Sequence, residues 1–375
     1  MIRGLLKSGL ALGLSHSRAT ALLGIGRGSS QRPLVVGYHR VVEDFDASAR
    51  TAIPSMLISA GMLEKHLDWL ARHYRLVSLT ELGKCLEEGS PTTGMAAITF
   101  DDGYRDVYEH AFPILKRKGI PAAIFVVANL IGTSEAMIHD RLYDLLQQAL
   151  SVSTIPADLL AGLHRECGLR MPDAFSLEHA GRNTFAATRL FLDVLPQLDV
   201  RSVIAALESR FGAEVHDGGL PLTWEMVHEM RLAGVTFGSH SSTHALLTHE
   251  DQERKDDEIS GSRRLLEERL GARVDHFAYP DGRFDSATVS TIAAAGYRFA
   301  YTICGHRDPK SPLLTLSRRI LWERACVDAR GAFSGAVLDC LVSGVFDIMS
   351  PCPMGHGPGI GGWPLLRAAW SGATP

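Results

Sequence analysis

The stretch Ala96–Asp106, Ala-Ala-Ile-Thr-Phe-Asp-Asp-Gly-Tyr-Arg-Asp, decides how this 375-residue chain is read. An apolar run stops at two adjacent carboxylates and a glycine, the pattern of a buried strand ending in a sharp turn at Gly103. Neighbouring residues at a strand end project to different sides. Asp101 and Asp102 can therefore do different work, one holding a metal ion while the other faces a reacting water. The plainer alternative is a strand-to-helix turn in which an aspartate caps the helix.

The same rhythm extends in both directions from this stretch. Leu34–Tyr38 is a buried strand leading into His39-Arg40, and further strands are expected at Tyr74–Val77, Ala122–Val127, Val235–Phe237, Asp275–Tyr279 and Arg298–Ile303. A last strand is expected within Leu314–Trp322. Helices fall between them. In Met62–His73, Leu63, Leu67 and Leu70 share one face, and the helix after Ser78 opens on a Ser-x-x-Glu box and closes at Gly89. Others are expected at 106–118, Thr223–Ala233, Asp251–Leu270 and Ser286–Ala295.

Strands apolar on both faces, alternating with helices, mean a parallel sheet covered by helices. Seven or eight such units predict an α/β fold, a distorted or incomplete (β/α) barrel with reactive side chains at the C-terminal strand ends. The rhythm breaks between 129 and 220, a helical and polar stretch too long for an ordinary connection, which reads as an inserted subdomain or lid. The expected organisation is an N-terminal segment over 1–30, a barrel formed by 31–128 and 221–325, a helical insertion over 129–220, and a C-terminal extension over 326–375.

Composition narrows the function classes. The 38 basic and 42 acidic residues are interspersed with no dense basic face, so no nucleic-acid partner is expected. No run is long and apolar enough to span a bilayer. Six scattered cysteines, without metal-knuckle spacing, read as free thiols of a reducing compartment. Arg3 and Lys7 precede a short apolar stretch, Leu10–Leu14, that His16 and Arg18 interrupt. An amphipathic helix in peripheral contact with a membrane fits this segment as well as a signal peptide does. A cytoplasmic or membrane-associated location is therefore expected ahead of export.

Two further strand ends carry chemistry. Gly238-Ser239-His240-Ser241-Ser242-Thr243-His244 sets two imidazoles four residues apart. One helical turn would bring both rings to the same side, where they suit a divalent ion. Phe277-Ala278-Tyr279-Pro280-Asp281-Gly282 is either a tight turn or an active-site wall whose N–H groups face an oxyanion.

In this order and placement, the three stretches resemble the polysaccharide deacetylase family, also called the NodB-homology or carbohydrate esterase family four group. Thr99–Gly103 is similar to its first motif, His240–His244 to its second (H-[ST]-x-x-H), and Phe277–Gly282 to its third in a Tyr-Pro variant. Tyr38-His39-Arg40-Val41 resembles the opening strand of one branch. The resemblance implies a hydrolase that removes N-acetyl groups from a polysaccharide or lipid-linked sugar, with a metal-bound water as nucleophile. It implies Asp102, His240 and His244 as ligands of a divalent ion, zinc being the expected one, and Asp101 as general base. Tyr279, Pro280 and Asp281 would line the substrate or oxyanion, and the partner would be an N-acetylated glycan.

The chain departs from the family in two places. The third-motif arginine that orients the base is replaced by Ala278, leaving Arg283 or Arg105 as substitutes. The late Leu-x-His motif, whose histidine serves as general acid, is absent: Leu314–Trp322 contains Arg318 and Arg319 but no histidine. His39, at the end of the first strand, is the expected acid, with His306 second. A member that binds carbohydrate with little turnover is the alternative reading, and an amidohydrolase on a similar barrel is a more distant one.

Overall fold

The computed structural model describes residues 33–212 and 219–345. The N-terminal segment 1–30, the end of the C-terminal extension and Cys352 lie outside them. The strands in chain order are β1 (Leu34–Tyr38), β2 (Arg40–Val42), β3 (Leu57–Ser59), β4 (Arg75–Leu76), β5 (Met95–Phe100), β6 (Ala122–Val126), β7 (Thr236–Ser239), β8 (His276–Ala278), β9 (Phe299–Thr302), β10 (Leu316–Ser317) and β11 (Arg319–Ile320). The main sheet is parallel throughout and runs β10-β9-β8-β7-β6-β5-β1-β11, with β4 pairing beside β5. β2 and β3 form a separate parallel pair.

The two ends of the main run are halves of one stretch. Leu316 and Ser317 pair with Tyr301 and Thr302, whereas Arg319 and Ile320 pair with Val36 and Gly37. The chain crosses from one edge of the sheet to the other at Arg318, so the last expected strand exists in two pieces and draws the sheet into a distorted (β/α) barrel.

Alternation along the strands builds two cores. Val36, Ile98, Ile124 and Phe237 belong to the large cluster under the surrounding helices. Val35, Ala97, Ala123, Phe125, Ala278, Tyr301 and Leu316 form the second, in the barrel interior. Side chains on both faces of β1, β6, β8 and β9 are therefore buried, as parallel sheets require.

Between β6 and the helix Trp224–Leu232, the described residues form five α-helices, Ile138–Val152, Pro156–Glu166, Ala174–Ala180, Thr184–Leu192 and Gln197–Phe211. They bury Leu142, Leu146, Leu160, Leu163, Phe191, Val203 and Leu207 around a core of their own. Cys85 and Cys167, both half-buried, are free thiols. No helix among the described residues is long and apolar enough to cross a membrane.

Gly238, on β7 one turn of the pleat before His240, shows how tightly the interior is filled. A Cβ there would lie 2.7 Å from the buried Phe125 ring and 2.9 Å from the His276 carbonyl. Gly238→Ala is expected to destabilise the fold by about 1–3 kcal/mol through overpacking. Urea unfolding checks this; an unchanged midpoint would contradict the close approach.

Candidate active site

Asp101, Asp102, His240 and His244 meet at the C-terminal ends of β5 and β7. Asp101 continues the inward-facing series Ala97-Thr99-Asp101, and its N–H donates to Tyr38 O at 2.8 Å, the last rung of the β5–β1 ladder. Asp102 breaks from the strand with a left-handed backbone, φ 69°. Gly103 follows at φ 78°, where a Cβ would sit 2.9 Å from Val126.

The two histidines are not brought together by a helical turn, as the spacing suggested. Residues 240–244 form a loop in which Ser241 and His244 have φ of 65° and 63°. The reversal still sets the rings 5.0 Å apart, nearly perpendicular. Among the described residues, four non-glycine residues have such left-handed φ values: Asp102, Ser241, His244 and Asp281. All four belong to the three motifs, so backbone strain is concentrated at the site.

Hydrogen bonds hold the strained loop. Ser241 N–H donates to Ser239 Oγ, and His244 N–H donates to Ser241 Oγ at 3.0 Å. The long helix beginning at Gln252 widens into a π-turn at Asp257–Gly261, which frees carbonyls for Ser242. There the fully buried Glu258 accepts from Thr243 N–H at 2.9 Å and is paired with Arg254. Gln197, from the insertion, donates to Thr243 O.

Asp102 is fully buried, and neither carboxylate oxygen has a hydrogen-bond partner among the described residues. Oδ1 faces His240 Nε2 at 3.5 Å and His244 Nε2 at 3.4 Å. Ligands about 2.1 Å from an ion in tetrahedral arrangement are roughly 3.4 Å apart, so this set fits a divalent ion. His240 Nδ1 donates to Ala278 O at 2.8 Å, which leaves Nε2 bare and aimed at the site. Burial holds both imidazoles neutral, with pKa values of about 3. Burial, with Asp101 and Asp140 nearby, pushes Asp102 well above the usual carboxylate range, a penalty that a cation would relieve.

Asp101 has a different partner. Arg318 donates through both terminal nitrogens, at 2.6 and 2.7 Å, in a two-pronged pair inside the barrel. The guanidinium lies over the Phe125 ring at 5.1 Å. Burial raises the Asp101 pKa, but the charge and hydrogen bonds of Arg318, with His240 and His39, together more than offset it and hold the carboxyl at about 2. The arginine on Asp101 is therefore neither Arg283 nor Arg105. Arg283 pairs with Asp281 at 2.8 Å and with Asp193, while the main chain of Arg105 bonds Leu220. The sequence carried a signal for Arg318: in Leu314-x-Leu316-x-Arg318-x-Ile320 it shares the alternation of an apolar face, and an inward charge needs a partner.

His39 lies at the open side of Asp101, Nε2 to Oδ2 4.0 Å, with its side chain 20% exposed. Burial lowers its pKa and Asp101 pulls it back up. His306 stacks against Phe284 instead.

The third motif serves differently from expectation. Tyr279 is buried, its hydroxyl donating to Leu314 O and its N–H to Tyr301 O, and Pro280 has no N–H. Of the three, Asp281 alone can offer a main-chain N–H. Its carboxylate is taken by Arg189, from the insertion, and by Arg283.

Sequence reasoning also missed His139 and Asp140, at the start of the insertion's first helix. The His139 ring lies 4.8 Å from that of His244, and its Nε2 is 3.9 Å from Asp102 Oδ2. Tyr104 Oη joins His139 Nε2 at 2.8 Å to Asp140 Oδ2 at 2.7 Å. No pattern in the sequence marks them, because a polar helix start is unremarkable until it is packed against the barrel.

The fold and site together define a (β/α)-barrel protein with an aspartate and two histidines set for a divalent ion at its strand ends. A family model described as polysaccharide deacetylase matches residues 88–149 and 183–300, and the chain belongs to that family. His39 and Arg318 fall outside the matched stretches. A poly-beta-1,6-N-acetyl-D-glucosamine N-deacetylase of Staphylococcus epidermidis is 31% identical over 109 residues, 27% of this chain and 38% of that one. YxkH of Bacillus subtilis (strain 168) is 30% identical over 108 residues, 28% of this chain and 39% of that one. The matches thus span about two fifths of those relatives. The Streptococcus pyogenes deacetylase PplD, solved with acetate, shares the fold at a TM-score of 0.51 and 17% identity, covering 82% of this chain and 97% of that one.

Five buried imidazoles have depressed pKa values, His139, His240 and His244 to about 3 and His66 and His276 to about 4. Below the ordinary histidine value of about 6.5 the unfolded chain binds protons that the folded one refuses, so stability falls with pH. Asp102, Asp106 and Asp140, shifted upward by burial, work in the opposite sense but are three groups against five. The thermal midpoint of the ion-free protein is expected to fall steadily from pH 7 to 5; a flat midpoint over that interval would contradict these assignments.

Proposed function

We propose that this chain is a metal-dependent hydrolase that removes N-acetyl groups from a polysaccharide. One observation carries the reading: two adjacent carboxylates have been given opposite surroundings. Asp102 has unpartnered oxygens facing two neutral imidazoles, and Asp101 is locked as an anion by Arg318.

Asp102, His240 and His244 would hold the ion, zinc in the first instance. When bound, such an ion supplies Lewis-acid chemistry, polarising an amide carbonyl and lowering the pKa of water. The chain's own residues do the rest. Asp101, kept ionised and oriented, takes a proton from the attacking water as its oxygen bonds to the carbonyl carbon. The Asp281 N–H, in a left-handed turn, would donate to the oxygen that becomes negative. The carbon–nitrogen bond then breaks, and His39 delivers a proton to the departing nitrogen. Acetate and a free amine result. His39 is neutral at rest because burial lowers its pKa, and it gains its proton during the cycle from the Asp101 side, 4.0 Å away.

The staphylococcal relative is named for poly-beta-1,6-N-acetyl-D-glucosamine, and oligomers of that linkage are the first substrate to test. The parent protein is expected to carry one divalent ion per chain and to release acetate. Asp101→Asn should keep the ion and lower kcat by roughly 10²–10⁴, and His39→Ala should also keep the ion and lose rate. Undiminished turnover in Asp101→Asn would exclude it as the base. Stoichiometric ion without acetate release from any N-acetylhexosamine oligomer would sink the hydrolase reading for those substrates.

A further inference from the structure

The mechanism leaves His139 unused, although it lies among the ion's ligands and comes from the insertion rather than the barrel. Its side chain is 8% exposed, and among the described residues Nδ1 has no hydrogen-bond partner. A buried imidazole with an unpaired nitrogen costs more than a phenyl ring of similar shape, so packing alone does not account for it.

Hydrogen-bond bookkeeping fixes which nitrogen bears the proton. Tyr104 has one hydroxyl proton, donated to Asp140 Oδ2 at 2.7 Å. The contact between Tyr104 Oη and His139 Nε2 at 2.8 Å must then be a donation from Nε2–H to the hydroxyl oxygen. That same N–H faces Asp102 Oδ2 at 3.9 Å, while Oδ1 is the oxygen turned to His240 and His244.

We propose that the helical insertion completes the ion site: His139, its Nε2–H held by Tyr104 Oη, turns the positive end of that dipole toward the Asp102 oxygen that the ion leaves free, 3.9 Å away, and so sets how tightly the ion is held. The Asp140–Tyr104 pair fixes the tautomer and aims the ring. His139 is a positioning residue, acting through Asp102. Outer partners of this kind hold a ligating carboxylate in place, and their loss costs roughly 10–100-fold in ion affinity. The proposal rests on the reading of Asp102, His240 and His244 as the ligands.

The test is zinc affinity of the chelator-stripped full chain, measured by competition with a chromophoric chelator. His240→Ala, a ligand control, should lose stoichiometric binding. His139→Phe should keep the fold by circular dichroism and bind zinc about tenfold or more weakly. His139→Gln, whose amide N–H reaches about as far as Nε2, should recover most of that loss. Parent-like affinity in His139→Phe, or equal losses in the Phe and Gln variants, would overturn the proposal. Should His139→Phe fail to fold, Tyr104→Phe is expected to weaken binding several-fold, and unchanged affinity there is equally fatal. A parent chain that binds no zinc, or a His240→Ala variant that binds it as the parent does, removes the ligand reading itself.

Discussion

Arg318 reaches Asp101 across 217 residues of chain, and much of the molecule is arranged so that it can. At this residue the last strand leaves β9 and joins β1, so the side chain enters the barrel where the sheet closes. Its N–H stays on Thr302 O at 2.7 Å, and its guanidinium touches Thr99 and Phe125 on the way to the carboxylate. A buried ion pair gives little net stability, because desolvation offsets the attraction, yet removing one partner costs about 3–5 kcal/mol. What the pair provides is placement: an ionised carboxylate at a defined position on the barrel rim.

That placement lets Asp101 and Asp102 stand side by side without repeating each other. Asp101 remains in the strand's register and receives a cation from within the chain. Asp102 leaves the register in a left-handed turn, has no such cation, and presents its oxygens to two imidazoles kept neutral by burial. The unfavourable backbone at Asp102, Ser241, His244 and Asp281 is held from behind by Glu258, by the helix that widens beneath Ser242, and by Arg189 and Gln197 of the insertion. The insertion is therefore part of the site's framework, which matches its position at the strand end after β6.

Much of this was legible in the sequence because it depends on local pattern. Apolar strands alternating with helices announced the parallel barrel, and the three chemical motifs each lie where a strand stops. What stayed hidden depends on closure. The pairing of Arg318 with Asp101 exists only once the first and last strands meet, and the approach of His139 to Asp102 only once the insertion has folded back on the rim. The helical turn expected at His240–His244 gave way to a loop because Ser239, Ser241 and Glu258 satisfy its N–H groups better than a short helix there would. Tyr279 was expected to line the substrate or oxyanion, and instead its hydroxyl and N–H are spent on the Leu314 and Tyr301 carbonyls.

The central claim is that Arg318 keeps Asp101 ionised, and the acidic limb of the pH profile for acetate release measures this directly. In Arg318→Met the burial of Asp101 is no longer opposed, so its pKa rises. The limb of kcat/KM should move to higher pH by about one unit or more, with a rate loss of at least roughly 10² at neutral pH. A limb that stays where it is in the parent would contradict the account.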